Sequence, residues 1–232
     1  MIYSDKRGED YVVSGALFVK CQKSFWEKCF SGLYAKFFKR LIDIVLTLLI
    51  LLPALFIMLP FAIMIALDGS SPLYFQRRVG KGGRVFRMAK LRSMCVNAEN
   101  LLHVHLASHP DQKIEWDTTQ KLRSDPRTTR IGNFIRRTSI DELPQLFNVL
   151  AGHMSLVGPR PMMEEQRSLA HAKEYFLMRP GITGEWQVSV RNEANFSERA
   201  FYDNSYFKNI SLRHDFKLLW QTVRVVFNAR GC

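Results

Sequence analysis

The longest apolar run of the chain, "LIDIVLTLLILLPALFIMLPFAIMIAL" at residues 41–67, carries no charge between Asp43 and Asp68. Those 24 uncharged residues would extend roughly 36 Å as a helix, enough for a hydrocarbon core of about 30 Å. Pro53 and Pro60 fall inside the run, where each removes a backbone donor and crowds the preceding turn, so an interrupted helix is predicted. Basic residues flank both ends: Lys28, Lys36, Lys39 and Arg40 before it, and Arg77, Arg78, Lys81, Arg84 and Arg87 after it. Basic flanks favour the cytoplasmic side. The pattern therefore predicts a helix broken near Pro53 that enters and leaves on one face, with a kinked crossing helix as the alternative.

Upstream, Trp26, Phe30, Leu33, Tyr34, Phe37, Phe38 and Leu41 fall on one helical stripe with lysines between them. Residues 24–40 thus read either as an amphipathic helix in the headgroup plane or as a helix packed on the protein's own globular part. Residues 1–23 show no period and read as a poorly ordered, variable leader. Downstream, "SPLYFQRRVGKGGRVFRMAKLRSM" alternates on either side of G-K-G-G, the pattern of a β-hairpin. Helical character follows at residues 96–108, after the Asp125-Pro126 turn, and at about 196–209 and 211–228, the last with Ser211 as N-cap. The fold class is α+β and mostly helical: a membrane helix at 41–67 and a cytoplasmic domain at 68–232 with a small β-hairpin.

A net charge of +12 over 232 residues points to an anionic partner. By segment the charge is +4 for 1–40, −2 for 41–68, +9 for 69–140 and +1 for 141–232, so the excess adjoins the apolar run. That placement favours lipid or phosphate. Tyr74, Phe75 and Phe86 among basic strands would also suit base stacking, but no nucleic-acid module signature accompanies them, and nucleic acid is not expected as a partner. Cys21, Cys29, Cys95 and Cys232 are too scattered for a zinc site or a disulfide framework.

The segment "TSIDELPQLFNVL", residues 138–150, has two readings. Ser139 and Glu142 form an S-x-x-E capping box ahead of an apolar run. Alternatively Asp141 and Glu142 are a reacting carboxylate and its partner. Pro144 would be the fifth residue of a helix capped by Ser139, a poor place for proline, so the regular helix is expected to begin at Pro144. Both carboxylates then precede it or occupy a distorted first turn. An ionised Asp attacks phosphorus effectively when cations neutralise the phosphoryl oxygens. Arg136, Arg137, Arg160 and Arg179 are candidates, the last two in the Gly- and Pro-rich loops "VGPRPMM" and "RPGITGEWQV".

Together, "KRLIDIVLTLLILLP", "RVGKGGRVFRMAKLRSM", "RRTSIDELPQLFNVLAGHMSLVGPRP" and "RPGITGEWQV" resemble the bacterial sugar transferase family, the small monotopic phosphoglycosyl transferases, from about Lys36 to Gly231. "HPDQKIEWDTTQKLRSDPR" further resembles the exopolysaccharide-production, ExoY-like branch. The resemblance implies transfer of hexose-1-phosphate from UDP-galactose or UDP-glucose to undecaprenyl phosphate, with release of UMP, at the cytoplasmic face of the bacterial inner membrane. It implies Asp141 as nucleophile, Glu142 as its partner, and Mg²⁺ held by Asp141 and Glu142. Phosphate or nucleotide contacts fall to Arg136, Arg160, Arg179 and Lys90, and the re-entrant helix breaks at Pro53. The expected partners are UDP-sugar, undecaprenyl phosphate and membrane lipid, and a homo-oligomer is compatible with them. The competing reading is a non-catalytic membrane adaptor that binds anionic lipid or assembly partners.

Overall fold

The structure, a computed structural model, describes residues 2–4, 10–14, 17–20, 32–119, 122, 124–169, 173–189 and 196–227. Trp26 and Phe30 of the aromatic stripe lie outside them. Residues 1–23 have no legible period, yet they contain three short antiparallel strands, β1 (Ile2–Ser4), β2 (Asp10–Ser14) and β3 (Leu17–Lys20). Tyr11-Val12-Val13 and Leu17-Phe18-Val19 are β-branched and aromatic runs of the kind that favour strands.

A widened π-helical turn, Tyr34–Phe38, leads into α1 (Lys39–Ala66). Leu33, Phe37, Phe38 and Leu41 are exposed, but Tyr34 turns inward and its hydroxyl donates to Asp215 at 2.7 Å. Helix α1 differs from expectation at Pro53: its 28 residues form one helical run with both prolines inside it. A proline removes one rung of the ladder and bends a helix, while the Leu, Ile, Ala and Met around it resume the helical bonding.

The buried residues of α1 are Asp43, Thr47, Ala54, Met58 and Ile65, separated by 4, 7, 4 and 7 positions. This single stripe lies against the rest of the protein over nearly the whole helix, while Leu52, Phe56, Leu59 and Ile63 on other faces are exposed. Polar bonds fix its first turns. Lys39 and Tyr34 reach Asp215, Arg40 donates to Val149 O and Leu150 O, and Asp43 accepts from Ser155 Oγ and the Leu156 amide. Its far end is held as well, because Arg92 donates to Ile65 O at 3.1 Å and pairs with Asp68.

The expected hairpin is present as β4 (Leu73–Val79) and β5 (Val85–Leu91), antiparallel, with Tyr74 opposite Lys90. Gly82 and Gly83 in its turn have φ of 67° and 74°, a region glycine enters without steric penalty, which explains the G-K-G-G signal. Next come α2 (Ala98–Ser108), α3 (Pro110–Thr119), α4 (Arg130–Arg137) and α5 (Gln145–Leu150). A parallel pair, β6 (Ser155–Val157) and β7 (Gly181–Thr183), precedes α6 (Glu185–Ser189), α7 (Phe196–Asn209) and α8 (Leu212–Phe227). Ser211 caps α8 as expected, accepting from the His214 amide.

Two apolar clusters join these parts. Ala54 of α1 packs with Phe86, Met88, Leu146, Val149, Met154 and Leu156. Met58 and Ile65 pack with Leu91 and Ile135. The apolar helix, the strand β5 and the segment around Asp141, through Ile140 and Leu143, therefore share apolar packing.

Candidate active site

Helix α4 starts at Thr129, whose hydroxyl accepts from the Gly132 amide at 2.9 Å. Gly132 lies so close to Ser93 that a Cβ would fall 1.8 Å from Ser93 O, so glycine is required for α4 to meet the end of the hairpin. The chain leaves α4 through Ser139, whose φ of 58° reverses it into a short 3₁₀ turn, Ile140–Glu142. No capping bond is made by the Ser139 side chain. Pro144 is the N-cap of α5, so the capping box is not formed and both carboxylates sit ahead of the regular helix, as Pro144 predicted.

Asp141 is 7% exposed. The Lys90 ammonium, projecting from β5, lies 2.8 Å from Glu142 Oε1 and 3.7 Å from Asp141 Oδ2. Burial pushes the Asp141 carboxyl up to about 6. Lys90 and Arg136 oppose that rise, and the negative neighbour Glu142 adds to it. Arg136 is oriented by bonds to Ser93 Oγ at 2.7 Å and Thr128 Oγ1 at 3.3 Å. Lys90, Arg136, Asp141 and Glu142, predicted from two separate stretches of motif, thus meet in one place. A carboxylate that is largely ionised near neutral pH, buried, and close to two cations has the properties of a nucleophile for an anionic phosphorus centre.

Arg160 sits in a second cluster. Its guanidinium lies over the Trp186 ring, 5.4 Å from the centroid, and its charge is felt by Arg78 and Arg199. The loop that carries it is clamped to β4. Arg78 Nη1 donates to Pro161 O, the Val79 amide donates to Met162 O, and the Tyr175 hydroxyl donates to Val79 O while accepting from the Met162 amide. Burial, with Arg160 and Arg199 nearby, pushes the Arg78 guanidinium down to about 10. Sequence reasoning missed Arg78, Tyr175 and Arg199. Adjacent arginines 77 and 78 look alike in a sequence, and only the fold buries the second.

Arg179 is anchored to the end of α5. Its Nε donates to Gly152 O at 2.9 Å beside Arg40, so the two arginines close the C-terminal end of α5. Pro53 is exposed on α1, where Leu52, Pro53, Phe56 and Ile57 line a shallow apolar groove.

Among the described residues no group of three His, Cys, Asp or Glu side chains could hold a metal alone. Mg²⁺ takes one or two carboxylates and completes its octahedron with phosphate oxygens and water, so Asp141 and Glu142 fit it when a phosphate substrate supplies the remaining oxygens.

The family model for bacterial sugar transferase matches residues 34–229. A UDP-galactose-lipid carrier transferase of Erwinia amylovora is 46% identical over 202 residues, which are 85% of this chain and 42% of that protein. An undecaprenyl-phosphate galactose phosphotransferase of Salmonella typhimurium is 43% identical over 199 residues, again 85% of this chain and 42% of the relative. The exopolysaccharide production protein ExoY of Sinorhizobium fredii is 42% identical over 166 residues, 71% of this chain and 74% of the relative. The chain therefore spans less than half the length of the first two relatives. Because the matched span begins at the turn before α1, continues through α8 and takes in every element that surrounds Asp141, the chain belongs to the bacterial sugar transferase family.

Proposed function

We propose that this protein transfers hexose-1-phosphate from UDP-galactose or UDP-glucose to undecaprenyl phosphate, the initiating step of exopolysaccharide biosynthesis. The observation that carries the reading is the buried Asp141 beside Lys90, with Glu142 sharing the same ammonium. A carboxylate oxygen of Asp141 attacks the β-phosphorus of the donor. The bond from that phosphorus to the bridging oxygen breaks, UMP leaves with the bridging oxygen, and the sugar phosphate stays on Asp141 as an acyl phosphate. A phosphate oxygen of undecaprenyl phosphate then attacks the same phosphorus, which frees the Asp141 carboxylate and yields the diphosphate-linked lipid. Lys90 and Arg136 neutralise the phosphoryl oxygens during both attacks. Arg160, stacked on Trp186 and held by the β4 clamp, is the candidate for the nucleotide phosphates. Asp141 and Glu142 would hold Mg²⁺ together with donor oxygens, and the ion would supply further charge neutralisation.

The relatives' names support the donor and acceptor, and the packing of α1 supports a one-sided membrane location. A crossing helix carries one end about 30 Å from the other across the hydrocarbon. Here both ends of α1 bond to the same body and one stripe packs on it throughout, which fits a helix that stays on the cytoplasmic side of the inner membrane.

The test is incubation of the detergent-solubilised protein with UDP-hexoses and Mg²⁺, read by UMP release and intact mass. An added hexose phosphate, missing in Asp141→Asn, is expected. Unchanged UMP release in that variant would remove Asp141 from the mechanism. Failure of every UDP-hexose, with salt-sensitive liposome binding retained, would favour the adaptor reading.

A further inference from the structure

Strand β5 pairs with β4 along one side only. On its other side two of its backbone groups, Arg87 C=O and Ala89 N–H, are taken up by one side chain. Asn148 Nδ2 donates to Arg87 O at 2.7 Å, and the Ala89 amide donates to Asn148 Oδ1 at 2.9 Å. Asn148 is buried in α5, so its amide occupies the place that a neighbouring strand would fill. The residue after Ala89 is Lys90, and α5 is the helix that follows Asp141 and Glu142. We propose that Asn148 is a positioning residue that fixes the strand bearing Lys90 against the turn bearing Asp141 and Glu142.

Besides the amide, α5 and β5 share an apolar cluster that includes Leu146, Val149, Phe86 and Met88. Such apolar contacts carry no direction, and they would tolerate a small slide of the strand. The amide does not tolerate it, because it needs a carbonyl and an N–H two residues apart at set positions. A slip of one residue would turn Lys90 to the opposite face of the hairpin. Only a carboxamide offers a donor and an acceptor at this reach: Asp lacks the donor, Ala lacks both, and Gln is one methylene too long.

The proposal rests on Asp141 as the attacking group, and its test separates the two ideas. Single-turnover formation of the phosphosugar adduct is timed by intact mass for wild type, Asn148→Ala, Lys90→Met and the double variant. Adduct amplitude counts the folded molecules, so a loss of folded protein does not pass for a slower reaction. Asn148→Ala is expected to slow the step roughly 10- to 100-fold, with donor half-saturation within about twofold of wild type. In the Lys90→Met background the same change should slow it by less than about threefold, because the group it positions is gone. Asn148→Asp, which keeps the acceptor for the Ala89 amide, should fall between, and it replaces Asn148→Ala in the comparison if that variant does not fold. Lys90→Gln, which also lacks the ammonium, serves as the background if Lys90→Met does not fold. Equal slowing in both backgrounds, or a wild-type rate in Asn148→Ala, would overturn the positioning role alone. Absence of any adduct in the wild type with every UDP-hexose would overturn the transferase reading, and this one with it.

Discussion

Lys90 Nζ lies 2.8 Å from Glu142 Oε1, close enough to donate a charge-assisted hydrogen bond, and the same ammonium holds the Asp141 carboxyl down against the rise that burial causes. The ammonium is 0.9 Å farther from Asp141 than from Glu142, so its ion pair with Asp141 is the looser of the two. The proposed nucleophile is thus the less tightly held carboxylate.

The acid side of the reaction follows from this arrangement. On the proposed mechanism Asp141 attacks as a carboxylate, and burial pushes that group up to about 6, so adduct formation should fall about tenfold for each pH unit below about 6. Lys90 holds the carboxyl down against burial, and Lys90→Met should therefore move this limb to higher pH as well as lowering the plateau. A pH series of stopped reactions analysed by intact mass measures both. A limb that stays in place in Lys90→Met would rule out the electrostatic coupling.

The same carboxyl should destabilise the fold at working pH. Its folded value lies above the unfolded one, so its favourable contribution is complete below about pH 4 and is lost as pH rises through about 6. At about 1.4 kcal/mol for each pH unit between those values, the loss is on the order of 3 kcal/mol. Asp141→Asn should therefore melt several degrees higher than wild type at pH 8, with the gain shrinking toward pH 4.5. Thermal unfolding in one detergent at the two pH values checks it.

Tyr175→Phe deletes the hydroxyl that bridges Val79 O and the Met162 amide. Two buried backbone groups lose a partner, at about 1–3 kcal/mol each, so the melting temperature should fall. Because this bridge anchors the loop of Arg160, half-saturation for the donor should rise more than the turnover number falls. A titration of UDP-hexose with UMP release as readout separates the two.

Asp215 collects Tyr34 OH at 2.7 Å, Tyr206 OH at 2.7 Å and Lys39 Nζ at 2.6 Å in a buried site that joins α8 to the start of α1. Asp215→Ala leaves Lys39 without its counter-ion and should destabilise the protein by about 3–5 kcal/mol. Asp68→Ala, which removes an exposed partner of Arg92 at the other end of the helix, should cost about 1 kcal/mol or less. Chemical denaturation of both variants gives the comparison.

Much of the local design was legible. Pro144 placed the start of α5 and thereby released Asp141 and Glu142 from a capping role, and the paired glycines of G-K-G-G marked the hairpin turn. Resemblance, and not spacing, connected Lys90 to the carboxylates, since strand register and helix position jointly decide where that side chain ends. Long-range partners were invisible. Tyr34 shares a stripe with Phe37 and Phe38, yet it turns inward because a carboxylate 181 positions away is there to meet it. Nothing in the Pro-Gly loop announces that Arg179 will donate from its Nε to the carbonyl of Gly152. D-E-L-P-Q-L-F-N likewise gives no sign that the Asn148 amide will serve as the missing neighbour of a strand.

Met58 and Ile65 of α1 share one apolar cluster with Leu91, next to Lys90, and with Ile135, next to Arg136. On the membrane reading proposed above, the depth of the reacting carboxylate relative to the acyl chains is therefore set by side-chain packing and not by a hinge. On that reading the helix and Asp141 ride up or down together, and an acceptor lipid would meet the carboxylate at one height.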